Sequence, residues 1–273
     1  MQIEKLVDQI VREVIKNLDM TSQNSYSDNT NKSITVKDIA NVIDHSLLRP
    51  NLSDEEIIEG CKIAKDYGCI SVCVRPTDLP IVKRELAGTN VLITTVIGFP
   101  HGSNSTETKV FETIEAIKAG AVEVDMVLNI GKMLSGDYVY VRKDIQAVVD
   151  AAHKLNAIVK VIFENAYLND QQKEIACKIC EETGADFVKT STGYAPSGAT
   201  IDDLKLMRRV CSPRIRVKAA GGVSNLDAAL AVIATGTVRI GTRSTKEIIE
   251  EAKKRERMGE LKISTSGKLG SGY

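Results

Sequence analysis

From about residue 38 onward the chain repeats one unit eight times: a short run rich in β-branched residues, then a stretch whose apolar positions have helical spacing. The runs fall at 42–45, 70–74, 91–98, 122–129, 158–163, 187–190, 217–219 and 238–241. Eight strand-helix units within about 220 residues predict an α/β chain closed as a (β/α)8 TIM barrel rather than an open doubly wound sheet. No GxGxxG follows the first run, so a dinucleotide fold is not indicated. With 43% of its 273 residues apolar, such a barrel can bury one large core without disulfides or metals.

The barrel is expected over 38–257, and the flanking segments differ in character. In residues 1–20, Ile3, Leu6, Val7, Ile10, Val11, Val14, Ile15 and Leu18 recur three and four apart, with charged residues between them, as in an amphipathic helix. A polar stretch without apolar period makes 21–37 a flexible linker, and the Gly/Ser-rich 258–273 reads as a flexible C-terminal tail.

Lys+Arg and Asp+Glu both number 36, which gives no electrostatic reason to expect nucleic acid or a membrane surface as partner. No run of about 18 apolar residues is present to span a bilayer. The six cysteines lie in apolar segments and no secretory signal opens the chain, so they read as reduced thiols of a cytoplasmic protein. Cys177 and Cys180 have CxxC spacing, but no second pair or suitable histidines accompany them, and core packing is the favoured reading. His101, between Pro100 and Gly102, reads as a loop residue.

Two lysines stand at the ends of apolar runs: Lys189 in Asp186-Phe187-Val188-Lys189-Thr190 and Lys218 in Val217-Lys218-Ala219. A buried ammonium group costs several kcal/mol unless it is paired, neutralised or put to use. On neighbouring strands, two such groups would lower the pKa of one and leave a nucleophilic amine, as Schiff-base chemistry requires. The alternative is a structural ion pair with a barrel carboxylate such as Asp125 or Glu164. Alternation along the fourth run puts Glu123, Asp125 and Val127 on one face, where Asp125 can move protons or serve as a counter-ion. Asp44, Asn129, Lys160 and Glu164 are further polar residues expected at the C-terminal strand ends, where barrels build their sites. Gly221-Gly222 after the seventh run and Gly241-Thr242-Arg243-Ser244 after the eighth are candidate phosphate loops, and Gly193 offers another backbone donor.

Taken together, Val42-Ile43-Asp44-His45-Ser46-Leu47-Leu48, Val96-Ile97-Gly98-Phe99-Pro100-His101-Gly102, Glu123-Val124-Asp125-Met126-Val127, DFVKTSTG around Lys189, VKAAGG around Lys218 and Arg239-Ile240-Gly241-Thr242 resemble the deoxyribose-phosphate aldolases, in order from about 38 to 257. The resemblance implies a class I aldolase, without metal or cofactor, that reversibly cleaves 2-deoxy-D-ribose 5-phosphate to D-glyceraldehyde 3-phosphate and acetaldehyde. It implies Lys189 as the Schiff-base lysine, Lys218 as the group holding its pKa down, and Asp125 acting with a water in proton transfer. Cys73, Lys160 and Thr190 would lie near the substrate with the phosphate loops, in a dimer or tetramer. Some members have a tail whose terminal tyrosine reaches the site, which makes Tyr273 a candidate. Arg243 departs from the small hydroxyl residue that members often have there. A Schiff-base aldolase for a different phosphorylated aldehyde, or a non-catalytic shell-associated barrel, is the competing reading. Residues 1–20 are similar to encapsulation peptides that carry enzymes into bacterial microcompartments by docking on shell proteins; the alternatives are oligomerisation or a cover for the barrel bottom.

Overall fold

Eight parallel strands, β1 (Ile43–Leu47), β2 (Ser71–Val74), β3 (Leu92–Ile97), β4 (Glu123–Val127), β5 (Ile158–Ile162), β6 (Phe187–Lys189), β7 (Arg216–Ala220) and β8 (Arg239–Thr242), pair in sequence order, and β8 pairs with β1 to close the barrel. The computed structural model describes residues 31–270. The expected helix over 1–20, the linker up to residue 30 and Tyr273 lie outside the described residues.

Helices cover the barrel's outer face, and local chemistry sets their ends. Ser53 caps helix Asp54–Tyr67, accepting a hydrogen bond from the Glu56 N–H while the Glu56 carboxylate accepts from the Ser53 N–H. Gly68, at φ 66°, ends it in the left-handed region. The main core fills the space between barrel and helices. Inside the barrel, Ile70, Leu92, Ile158, Phe187 and Val238, at or just before the first residues of their strands, form an apolar floor. The interior above it is therefore closed from below.

Strand boundaries differ from the sequence expectation by one or two residues, and the heights of the polar residues change with them. Only Lys189 ends its strand; Asp44, Asp125, Lys160 and Lys218 lie within β1, β4, β5 and β7. The tilt and stagger of a closed barrel bring residues at different positions along their strands to one level. Asn129 is not an interior group at all. Its side chain caps helix Ile130–Leu134, accepting from the Lys132 N–H at 3.0 Å.

The flanks of the barrel are also more ordered than their composition suggests. Thr35 caps helix Val36–Ala40, which tucks the fully buried Ile39 under the barrel ahead of β1. The Asn31 N–H donates to the Ile263 carbonyl and the Ile263 N–H to that of Lys32, both at 2.9 Å. Leu261 and Ile263 are buried, and farther on the Gly270 N–H donates to the Gly222 carbonyl at 2.8 Å. Residues 31–37 and 258–270, expected as linker and tail, are thus held at particular points: Ile34, Leu261 and Ile263 are buried, and backbone hydrogen bonds join Asn31, Lys32 and Gly270 to their partners.

Helix Thr106–Ala119 is tied to the strand that carries Asp125 by a fully buried lysine. Lys109 donates to Asp144 at 2.6 Å and to the Val127 carbonyl at 3.0 Å, while Thr106 donates to the other Asp144 oxygen at 2.8 Å. Removing one partner of such a pair leaves an uncompensated buried charge. Asp144→Ala is expected to destabilise the fold by about 3–5 kcal/mol, and Lys109→Met/Asp144→Leu to recover most of the loss. Urea unfolding of the three proteins checks this.

Candidate active site

Side chains from six strands converge above the apolar floor: Asp44 (β1), Glu123 and Asp125 (β4), Lys160 (β5), Lys189 (β6), Lys218 (β7) and Arg239 (β8), all buried. Six of these groups form a closed ring of alternating charge. Asp125 Oδ1 meets Lys160 Nζ at 2.9 Å, and Lys160 reaches Glu123 Oε2 at 2.5 Å. Glu123 Oε1 pairs with Arg239, whose guanidinium also holds Asp44; Asp44 pairs with Lys218. Lys218 Nζ returns to Asp125 Oδ2 at 2.8 Å and closes the circuit.

Lys189 stands outside this ring. It touches only the same Asp125 Oδ2, at 2.7 Å. Each ring cation faces two carboxylates, so the ring's three positive and three negative groups are neutral together. Lys189 is the surplus cation. A net charge sealed in the barrel is costly, and an arginine does not give up its proton, so the singly paired lysine is the ring's neighbour whose charged form is least supported.

The direction of each pKa shift agrees with this count. Burial, joined by the charge of Lys218, outweighs the attraction of Asp125 and lowers the pKa of Lys189. Burial also opposes the charged form of Lys218, but Asp125 and Asp44 more than offset it and the pKa rises. Burial alone would raise the pKa of Asp125; Lys160, Lys189 and Lys218 together hold it well below the usual carboxylate range. Cys73, buried against the same cluster, has its thiol pushed up to about 11 by desolvation and stays protonated. The two lysines thus differ in environment: Lys218 is ion-paired with both Asp44 and Asp125 and its pKa is raised, whereas Lys189 is paired with Asp125 and its pKa is lowered.

Around the upper rim, the expected contact residues separate into two kinds. Gly221 and Gly222 have φ of 79° and 83°, and a Cβ on Gly198 would fall within 2.4 Å of the Gly221 carbonyl carbon, so two loops meet backbone to backbone. Gly193 (φ 98°), Gly241 and Ser244 belong to the same rim, and Arg243 is exposed beside them. The hydroxyls of Thr190 and Thr242, expected as substrate contacts, hydrogen-bond with neighbouring backbone. Thr190 Oγ1 accepts from the Ala220 N–H at 3.1 Å, and Thr242 Oγ1 donates to the Val223 carbonyl at 2.6 Å and accepts from the Ser244 N–H at 3.0 Å. Lys160 likewise belongs to the charge ring. Among described helices of eight or more residues, only Thr245–Arg257 lacks a side-chain cap at its N-terminus, which leaves its first N–H groups available.

Two groups were not read as site residues from the sequence. Glu123 shares the inward face with Asp125, and Arg239 is a cation inside an apolar run, the same signal as Lys189 and Lys218. Glu164 adopts φ 55°, unusual for a non-glycine residue, and accepts from both the N–H and the hydroxyl of Thr192 in the loop after Lys189. Burial raises the pKa of its carboxyl, against the hydrogen bonds from Thr192 and the charge of Lys189, which favour the ionised form. Among the described residues, no group of three or more His, Cys, Asp or Glu side chains is placed to hold a metal ion.

A family model described as DeoC/LacD family aldolase matches residues 15–243. The deoxyribose-phosphate aldolase of Caldanaerobacter subterraneus subsp. tengcongensis is 48% identical over 224 residues, covering 82% of this chain and 97% of that protein. That of Thermococcus gammatolerans is 48% identical over 221 residues, covering 80% and 98%. Among solved structures, a deoxyribose phosphate aldolase from Aeropyrum pernix, described as tetrameric, superimposes with a TM-score of 0.76 at 27% identity and covers 89% of this chain and 97% of that one. The lysine motifs, the closed barrel and these matches coincide over the same residues, and the chain belongs to the DeoC/LacD family of aldolases.

Proposed function

We propose that this chain is a deoxyribose-phosphate aldolase that reversibly cleaves 2-deoxy-D-ribose 5-phosphate to D-glyceraldehyde 3-phosphate and acetaldehyde. The observation that carries the reading is the surplus lysine: Lys189 shares one carboxylate oxygen with Lys218 inside a cluster that is neutral without it. Lys189 in its amine form attacks the C1 aldehyde of the open-chain sugar, and loss of water from the carbinolamine gives a protonated imine. As the C3 hydroxyl loses its proton, the C2–C3 bond breaks and its electron pair flows into the iminium. Glyceraldehyde 3-phosphate leaves, and an enamine of acetaldehyde remains on Lys189. Protonation at C2 and hydrolysis release acetaldehyde and restore the amine. Asp125, in contact with both lysines, is the nearest group to move these protons through a water. Cys73, protonated and apolar in character, lines the site.

The phosphate is assigned to the rim formed by Gly193, Gly221, Gly222, Gly241 and Ser244, with Arg243 adding a charge. Support comes from the uncapped N-terminus of helix Thr245–Arg257 and from the open backbone of the glycine pair. Tyr273 is assigned a part in proton transfer on family resemblance. The described tail already reaches Gly222 at residue 270. For residues 1–20, the reading is an encapsulation peptide that binds microcompartment shell proteins through its apolar stripe, in a cytoplasmic homo-oligomer.

Borohydride added with 2-deoxyribose 5-phosphate is expected to leave a covalent adduct mapped by mass spectrometry to Lys189; an adduct that persists in Lys189→Ala would sink the assignment. In a coupled cleavage assay, Asp125→Asn is expected to lower kcat by about 10²–10⁴-fold. A strong preference for another sugar phosphate would favour the different-acceptor reading instead. Arg243→Ala is expected to raise KM for the phosphorylated sugar by about tenfold while leaving that for 2-deoxyribose unchanged. Residues 1–20 fused to a fluorescent reporter are expected to form puncta with shell proteins present; a diffuse signal under those conditions rejects targeting.

A further inference from the structure

We propose that Arg239 and Glu123, neither of which contacts Lys189, are positioning residues that set the protonation of Lys189 through the closed ring of charges. This rests on Lys189 being the nucleophile. Arg239 bridges Glu123 and Asp44, the two ring carboxylates that make no contact with Lys189. By holding both, it leaves Lys160 and Lys218 able to reach Asp125 from either side. Asp125 is then occupied by two ring cations before Lys189 is counted, and a third ammonium beside it is not stabilised enough to persist.

Removing Arg239 changes that count. Asp44 and Glu123 would then draw only on Lys218 and Lys160, and Asp125 would turn to Lys189 as its remaining partner. Three carboxylates and three lysines balance only when Lys189 is charged. Removing the Glu123 charge does the reverse: four cations then face two carboxylates, and Lys189 gives up its proton more readily. The two changes, made on one salt bridge, act on the nucleophile with opposite signs.

The other groups around Lys189 do not cancel this effect. Cys73 on β2 stays a neutral thiol, and Glu164, in the turn after β5, is engaged by Thr192. From β4, β5 and β7 come Asp125, Lys160 and Lys218; from β1 and β8, Asp44 and Arg239. The ring also has a fixed floor. The guanidinium of Arg239 lies 5.7 Å from the centre of the Phe187 ring and the Lys160 ammonium 5.9 Å from it, so both cations rest over one aromatic ring.

The test is the acid limb of the kcat/KM profile for cleavage of 2-deoxyribose 5-phosphate, together with the pH dependence of borohydride trapping with acetaldehyde. Both are measured on the full chain for wild type, Arg239→Gln, Glu123→Gln and the double variant, with folding checked by circular dichroism. The limb is expected to move up by about one pH unit in Arg239→Gln, down by about one unit in Glu123→Gln, and back near the wild-type position in the double variant. One unit is a tenfold change in the amine fraction on the acid side. Limbs that coincide with wild type in both single variants, or move in the same direction, overturn the proposal. If Glu123→Gln does not fold, Asp44→Asn removes the ring's other remote anion and must also shift the limb down; no shift overturns the proposal equally. Failure of the underlying reading looks different, because the trapped adduct would then not be on Lys189 in wild type.

Discussion

Charge neutrality inside a sealed barrel is the constraint on which the rest of this structure depends. Four cations and three carboxylates share an interior from which solvent is excluded, and the low dielectric makes any imbalance expensive. The ring formed by Asp125, Lys160, Glu123, Arg239, Asp44 and Lys218 resolves six of them into a neutral circuit. What remains is one lysine whose pKa burial and Lys218 hold below the usual value. Reactivity here follows from arithmetic on neighbours rather than from an intrinsic property of the side chain.

The fold serves this constraint at each level. Parallel strands staggered in a closed barrel bring groups from β1, β4, β5, β6, β7 and β8 to one height, which no local motif can do. The apolar floor beneath them keeps water out from below. Above them, backbone contacts between Gly198 and Gly221 and hydroxyl ties from Thr190 and Thr242 hold the rim loops at a fixed spacing. A buried charge network of this kind is not a cheap source of stability, since desolvation offsets most of its attraction. What it does provide is one lysine of lowered pKa at a defined position.

Much of this was legible in the chain. Period-two and helical-period segments in strict alternation have few ways to bury both faces of their strands, and eight of them close. Lys189, Lys218 and Asp125 are conspicuous because a charge in an apolar run needs a reason. Arg239 carries the same signal, yet its role is hidden, because alternation tells which face a side chain occupies and not which group it meets across the barrel. The hydroxyls of Thr190 and Thr242 read as candidate substrate contacts in sequence, and their hydrogen bonds to neighbouring backbone appear only in space. Their partners, Ala220 and Val223, are backbone groups that sequence does not distinguish. The described tail reads as free in composition, but Leu261 and Ile263 are enough to pin it.

The sequence by itself determined the barrel, the shared face of Glu123 and Asp125 and the presence of charged residues within apolar runs, because periodicity and composition are local properties. Only the tertiary structure decided which cation is in excess. Lys189 and Lys218 both sit in short apolar runs, and nothing in their flanking residues says which one loses its proton. The difference is that Lys218 lies between Asp44 and Asp125 while Lys189 has Asp125 alone. Those carboxylates come from strands far away in the chain, and Coulomb energy depends on distance in space.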